Sequence, residues 1–129
     1  MNDRPNAREL LAISHATFTA EILPALPEKL RYTGLMIANA LAIARREIEA
    51  GDAPARAEFE RLCVLFSDGP RELAGDALAV AVADYNHRLA NEIRAGRFDQ
   101  EERAVLLEHL RRTTGAKLAI SNPKALNAK

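Results

Sequence analysis

The chain holds one cysteine, no tryptophan and few other aromatic residues. Cys63, standing alone, excludes an intramolecular disulfide and any cysteine-cluster zinc site. Charge of one sign is also missing. The 18 basic and 18 acidic side chains cancel, leaving no electrostatic basis for nucleic acid or an anionic membrane as the main partner. No apolar run approaches the roughly 18 residues that a spanning helix requires. Neither a Gly-x-Gly-x-x-Gly pattern nor a P-loop is present, so no phosphate cradle is encoded. The opening MNDRPNARE is polar and has no secretory apolar stretch, which points to a soluble cytoplasmic protein of bacterial type. Strand-like alternation is absent too, because the β-branched residues are scattered.

What is present is helical spacing in a chain of 129 residues, 48% apolar and 28% charged. That length supports one domain able to bury about two-thirds of the surface of its unfolded chain. Asp3 is placed to cap a first helix, with Pro5 in its opening turn and Leu11, Ser14, Phe18 and Ile22 inward. Pro24 and Pro27 close it and open a second helix, which runs from about Pro27 to Ala50. There Leu30, Gly34, Ile37, Leu41, Ala44 and Ile48 form a seam. Gly51 ends that helix and Asp52 is placed to cap the third, which carries Phe59, Leu62, Cys63 and Phe66 on one stripe. The segment SDGP at 67–70 is the strongest loop signal. Leu78, Val82, Tyr85, Leu89 and Ile93 then line a fourth helix that ends near Gly96. Asp99 and Glu102 resemble a capping box for a fifth, packed through Leu106, Leu107, Leu110 and Leu118. The expected architecture is an all-α antiparallel bundle of four long helices and a short one. It forms a single domain over 1–129, with 120–129 as a tail.

Catalytic and metal-binding patterns are sparse. A di-iron bundle requires two Glu-x-x-His pairs among carboxylates on four helices, whereas this chain has only Asp84-x-x-His87. His15 and His109 lie on separate helices and read as solvated or hydrogen-bonded structural residues. Cys63 reads as a small core residue. No catalytic residue, metal site or cofactor is identified, so an enzyme is the weaker expectation.

Two placements stand out. The run Gly34 to Ala44 is apolar except for Asn39, and burying an unpaired amide costs about 1–3 kcal/mol. Tyr32, Asn39 and Arg46 fall seven apart on one narrow strip, flanked by Leu35 on one side and by Met36 and Ile43 on the other. Asn39 therefore either pairs across a helix interface and fixes its register, or contacts a ligand or partner. Lys117 lies on the same side of helix five as Leu106 and Leu110. Its ammonium either snorkels to the helix end or sits beside a pocket to hold an anionic group.

Five blocks carry a resemblance: DRPNARELL at 3–11, LPALPEKLRY at 23–32, IANALAIARRE at 37–47, LANEIRAGRFD at 89–99 and AKLAISNPKAL at 116–126. In order, and over nearly the whole chain, they resemble a small bacterial family known as a domain of unknown function. Its genes often neighbour aminoglycoside-phosphotransferase-like kinases and acyl-CoA dehydrogenases. The resemblance implies an accessory role beside such an enzyme and supplies no catalytic residues. The stretch 67–77 lies outside the resemblance. Two functions are therefore expected. The first is a non-catalytic helical accessory protein that forms a homodimer or docks on a partner enzyme. The second is a binder of a small anionic molecule, with Tyr32, Asn39, Arg46 or Lys117 lining a cleft.

Overall fold

A computed structural model describes residues 3–127, and every regular element among them is helical. Five α-helices follow in order: α1 (Ala7–Thr17), α2 (Arg31–Ala50), α3 (Ala53–Leu65), α4 (Gly75–Arg94) and α5 (Arg103–Ser121). The all-α class read from the spacing holds. The chain divides into two units, Met1–Gly51 and Asp52–Lys129. Residues 1–2 of the polar N-terminus and 128–129 of the expected tail lie outside the described residues.

In the first unit α1 packs against α2. Asn6, not Asp3, caps α1: its side chain accepts from the Glu9 N–H, and Glu9 accepts from the Asn6 N–H in return. The turn after α1 is shaped by its prolines. Pro24 has no N–H, and its ring crowds the carbonyl four residues back, so an α-helix cannot continue through it. The backbone widens to a π-turn over Phe18–Ile22 and then tightens to a 3-10 turn over Leu23–Ala25. Leu26, which precedes Pro27, is extended at φ −71 and ψ 142. A short 3-10 turn, Glu28–Leu30, leads into α2, four residues later than Pro27 suggests. Leu23 and Leu26 then lie over Gly34, where an added Cβ would sit 2.7 and 2.5 Å from their Cδ1 atoms. Gly34 is the only buried residue of this unit's described part. The inward stripe expected on α1 is incomplete: Leu11 and Phe18 are half-buried, but Ser14 and Ile22 are exposed.

In the second unit α4 and α5 each pack on α3. Phe59, Leu62, Cys63 and Phe66 are all buried, as their stripe implies, together with Leu78, Tyr85, Leu89, Phe98 and Leu106. Cys63 is a core residue. Asp52 stands before α3 but does not cap it, because its carboxylate accepts from the Gly75 N–H at the start of α4, 3.1 Å away. Gly75 takes φ +57, a region that disfavours other residues. The capping box at Asp99 and Glu102 does not form either. Glu102 instead accepts from Arg97 Nε at 3.2 Å, and Arg97 also donates to the Leu65 carbonyl. Of the leucines expected to pack α5, Leu106 is buried and Leu118 half-buried, while Leu107 and Leu110 are exposed. The tail begins later than expected. Ile120 and Ser121 belong to α5, and after Asn122 a 3-10 turn over Pro123–Asn127 packs back on it.

Candidate functional site

The four residues singled out in the sequence fall in different units. Tyr32, Asn39 and Arg46 lie along α2 in the first unit, and Lys117 lies on α5 in the second. Tyr32 is 74% exposed and Asn39 is also exposed, so the chain itself does not bury the amide in its apolar run. Arg46 is half-buried and has an interaction within the chain. Lys117 is exposed, consistent with a stem lying along the helix and a solvated ammonium.

The surroundings of Asn39 distinguish the first unit. Leu10, Ile13, Ile22, Leu30, Tyr32, Leu35, Met36, Ile37 and Ile48 are all exposed there, and among the unit's described residues no large apolar side chain is buried. One pair of helices cannot enclose a core between them, because each has one inward stripe and little else to cover it. The exposed apolar residues lie on several faces of the unit: Leu10 and Ile13 are on α1, and Leu30, Ile37 and Ile48 fall about 160–180° around the α2 axis from Asn39.

The second unit holds a buried polar cluster in which His109 is a hydrogen-bonded structural residue, as its sequence position allowed, while Glu58 and Arg61 were not singled out. Glu58 and His109 are 8% and 3% exposed. Glu58 accepts from Asn86 Nδ2 at 2.9 Å. Arg61 donates from Nε to His109 Nδ1 at 3.3 Å and from its terminal nitrogen to Thr113 Oγ1 at 3.1 Å. Since Arg61 can only donate, Nδ1 is the acceptor nitrogen and the imidazole is neutral. Burial pushes the His109 pKa below 6.5, the Arg61 guanidinium pushes it the same way, and Glu58 opposes both. The available signal was positional, because Leu106, His109 and Thr113 follow helical spacing on the face that meets α3. Beside the cluster, α3 and α5 leave a groove of about 640 Å³ that includes Arg61, Val64, Leu65, Val105, His109 and Arg112 among its lining residues. Lys117 is not one of them.

A second network ties the loop after α3 to α4. Tyr85 donates to Asp68 Oδ2 at 2.5 Å, and Arg88 reaches the same oxygen at 3.6 Å while lying over the Phe66 ring. The Tyr85 hydroxyl is pushed up to about 12, first by its bond to Asp68, then by burial and the Cys63 thiol. Among the described residues, no buried side-chain nitrogen or oxygen lacks a hydrogen-bond partner. No group of three or more His, Cys, Asp or Glu among them is placed to hold a metal ion, and Asp84 and His87 are both exposed. No helix among them is long and apolar enough to cross a membrane. The bonded groups of these two networks hold α3, α4, α5 and the loop after α3 together.

No curated protein and no solved structure matches the chain. A family model does match, over residues 24–125, which takes in α2 to α5 and leaves α1 outside. Its description is Domain of unknown function (DUF6285), and the chain belongs to that family.

Proposed function

We propose that the protein is a non-catalytic helical interaction protein that acts through its first unit, by self-association and by docking on a partner enzyme. The observation that carries this reading is the exposure of nine large apolar side chains in a unit whose described residues bury none. The partner implied by the family resemblance is a phosphotransferase-like kinase or an acyl-CoA dehydrogenase. The satisfied polar groups of the second unit support a structural role for that unit rather than chemistry. Sedimentation at tens of micromolar should give twice the 14.2 kDa chain mass. Affinity capture from the native host should recover the kinase or the dehydrogenase if the accessory role is correct. A monomer that recovers neither enzyme overturns the reading.

A second reading is a binder of small amphipathic anions, favoured by the groove between α3 and α5. Its apolar wall of Val64, Leu65 and Val105 lies beside the guanidinium groups of Arg61 and Arg112. Arg112 is itself paired with Glu108 at 2.9 Å, which holds that carboxyl below its usual range. Isothermal titration with medium-chain carboxylates tests this reading, and absence of heat at millimolar concentration removes it.

A further inference from the structure

Along α2, positions 32, 36, 39, 43, 46 and 50 advance by four, three, four, three and four. They form a heptad seam of Tyr32, Met36, Asn39, Ile43, Arg46 and Ala50. At 3.6 residues per turn, Gly34 lies about 140° around the helix from Asn39. The Gly34 side is covered by Leu23 and Leu26. The Asn39 side is open over its first half, where Tyr32, Leu35 and Met36 are 74%, 52% and 49% exposed and Asn39 is exposed; Ile43, Arg46 and Ala50 beyond it are half-buried.

We infer that a second copy of the chain covers this seam with its own, the two α2 helices running antiparallel about a two-fold axis at Asn39. The inference rests on the self-association reading and specifies its geometry. Three features select it. First, the strip is symmetric about Asn39, with Tyr32 seven residues before it and Arg46 seven after. In an antiparallel isologous contact a residue at the axis meets itself and residues equidistant from it meet each other. Second, the pairing is complementary only in the antiparallel sense. Tyr32 of each copy then lies against Arg46 of the other, where the ring face meets a guanidinium. This asks only for stacking, so the interaction that Arg46 already makes within its own chain is no obstacle. Parallel helices would place Arg46 against Arg46. Third, the residue at the axis has a self-complementary side chain. An amide donates and accepts, so two Asn39 side chains can exchange hydrogen bonds in both directions; two carboxylates or two ammonium groups cannot. Ala38, Ala40 and Ala42 flank it, and their small side chains let the backbones approach. The same contact accounts for an amide within an apolar run: it sets register and orientation, as a polar seam residue does in coiled coils.

Single-cysteine cross-linking reads the register directly. Under mild oxidation Asn39→Cys should form a disulfide-linked dimer with itself. Tyr32→Cys and Arg46→Cys should each stay unlinked alone and cross-link when mixed. Wild type is the control, since its Cys63 is 4% exposed. Asn39→Asp, a change at an exposed helix position, should weaken the dimer at least tenfold at pH 7 by setting like charges together. Mixing it with Asn39→Lys should restore association. A protein that dimerises while Tyr32→Cys links to itself, or while Asn39→Cys does not, overturns this geometry and leaves the interaction reading standing. A monomer at tens of micromolar that captures the kinase or dehydrogenase overturns the self-pairing alone. A monomer that captures neither removes both.

Discussion

Tyr85→Phe removes one oxygen from the core of the second unit and leaves its ring contacts in place. The ring lies 5.6 Å from Phe66 and 5.8 Å from Phe59, and phenylalanine keeps both contacts. What is lost is the 2.5 Å bond to Asp68. A hydrogen bond to a charged group contributes about 1.5–3 kcal/mol, but the Asp68 side chain is 42% exposed and still pairs with Arg88. The stranded carboxylate can turn to water, so the expected loss is about 1–1.5 kcal/mol at pH 8. The pH dependence provides an internal control. The folded hydroxyl titrates near 12 and an unfolded tyrosine near 10. The folded state therefore holds its proton more tightly, and the stabilisation is complete below pH 10 and lost as pH rises toward 12. Urea unfolding of wild type and Tyr85→Phe in parallel isolates this effect, since every other alkaline titration is common to both. The stability gap should be present at pH 8 and close toward pH 12. Equal stabilities at pH 8, or a gap that persists to pH 12, would refute the assignment of Tyr85 as a hydrogen-bonding anchor.

Further outcomes follow from the geometry at three positions. Asn39→Ala should leave the monomer within about 0.5 kcal/mol of wild type, because the amide is exposed and alanine favours helix. The same variant should lower the dimer fraction in sedimentation. His109→Gln should flatten the acid limb of the stability curve: His109 titrates below 6.5 when folded, so its stabilisation is present above pH 6.5 and lost as pH falls toward the lowered value. Chemical denaturation at pH 7 and pH 5 checks this, and an unchanged slope rejects it. Gly34→Ala sets a helix gain of about 1 kcal/mol against contacts of 2.5 and 2.7 Å with two movable leucine methyls, giving a net change within about 1 kcal/mol. Gly34→Leu should cost more than about 2 kcal/mol in a thermal melt, because its branched end has no space beneath Leu23 and Leu26.

In the second unit the stripe of α3 was legible from the sequence because its spacing is regular. Phe59, Leu62, Cys63 and Phe66 follow helical spacing with no competing apolar face, and all four are buried. The first unit was harder to read. Apolar residues surround α2, and periodicity alone does not say which seam the chain covers for itself and which it leaves open. Caps were read by residue type and failed where a longer-range acceptor or donor was available. Asp52 reaches Gly75, and Glu102 is taken by Arg97. The Glu58, Arg61 and His109 cluster was hidden because charged residues at helical spacing look like a solvated face until a partner helix lies over them. Tyr32, Asn39 and Arg46 were visible as a strip, but a single chain does not state what a strip meets.

The loop after α3 is held at several points. Asp68 is bound by Tyr85, the Leu73 carbonyl accepts from Arg56 at 3.0 Å, and the Gly75 N–H is held by Asp52. Between the first two anchors lie only Gly69, Pro70, Arg71 and Glu72, all exposed. Covalent continuity across those four residues is then nearly redundant for the second unit. A trypsin nick after Arg71 should leave the two fragments co-eluting as one folded species, and new termini placed there by circular permutation should be tolerated. Fragments that separate without denaturant would show that the peptide link itself, and not these anchors, holds α3 to α4.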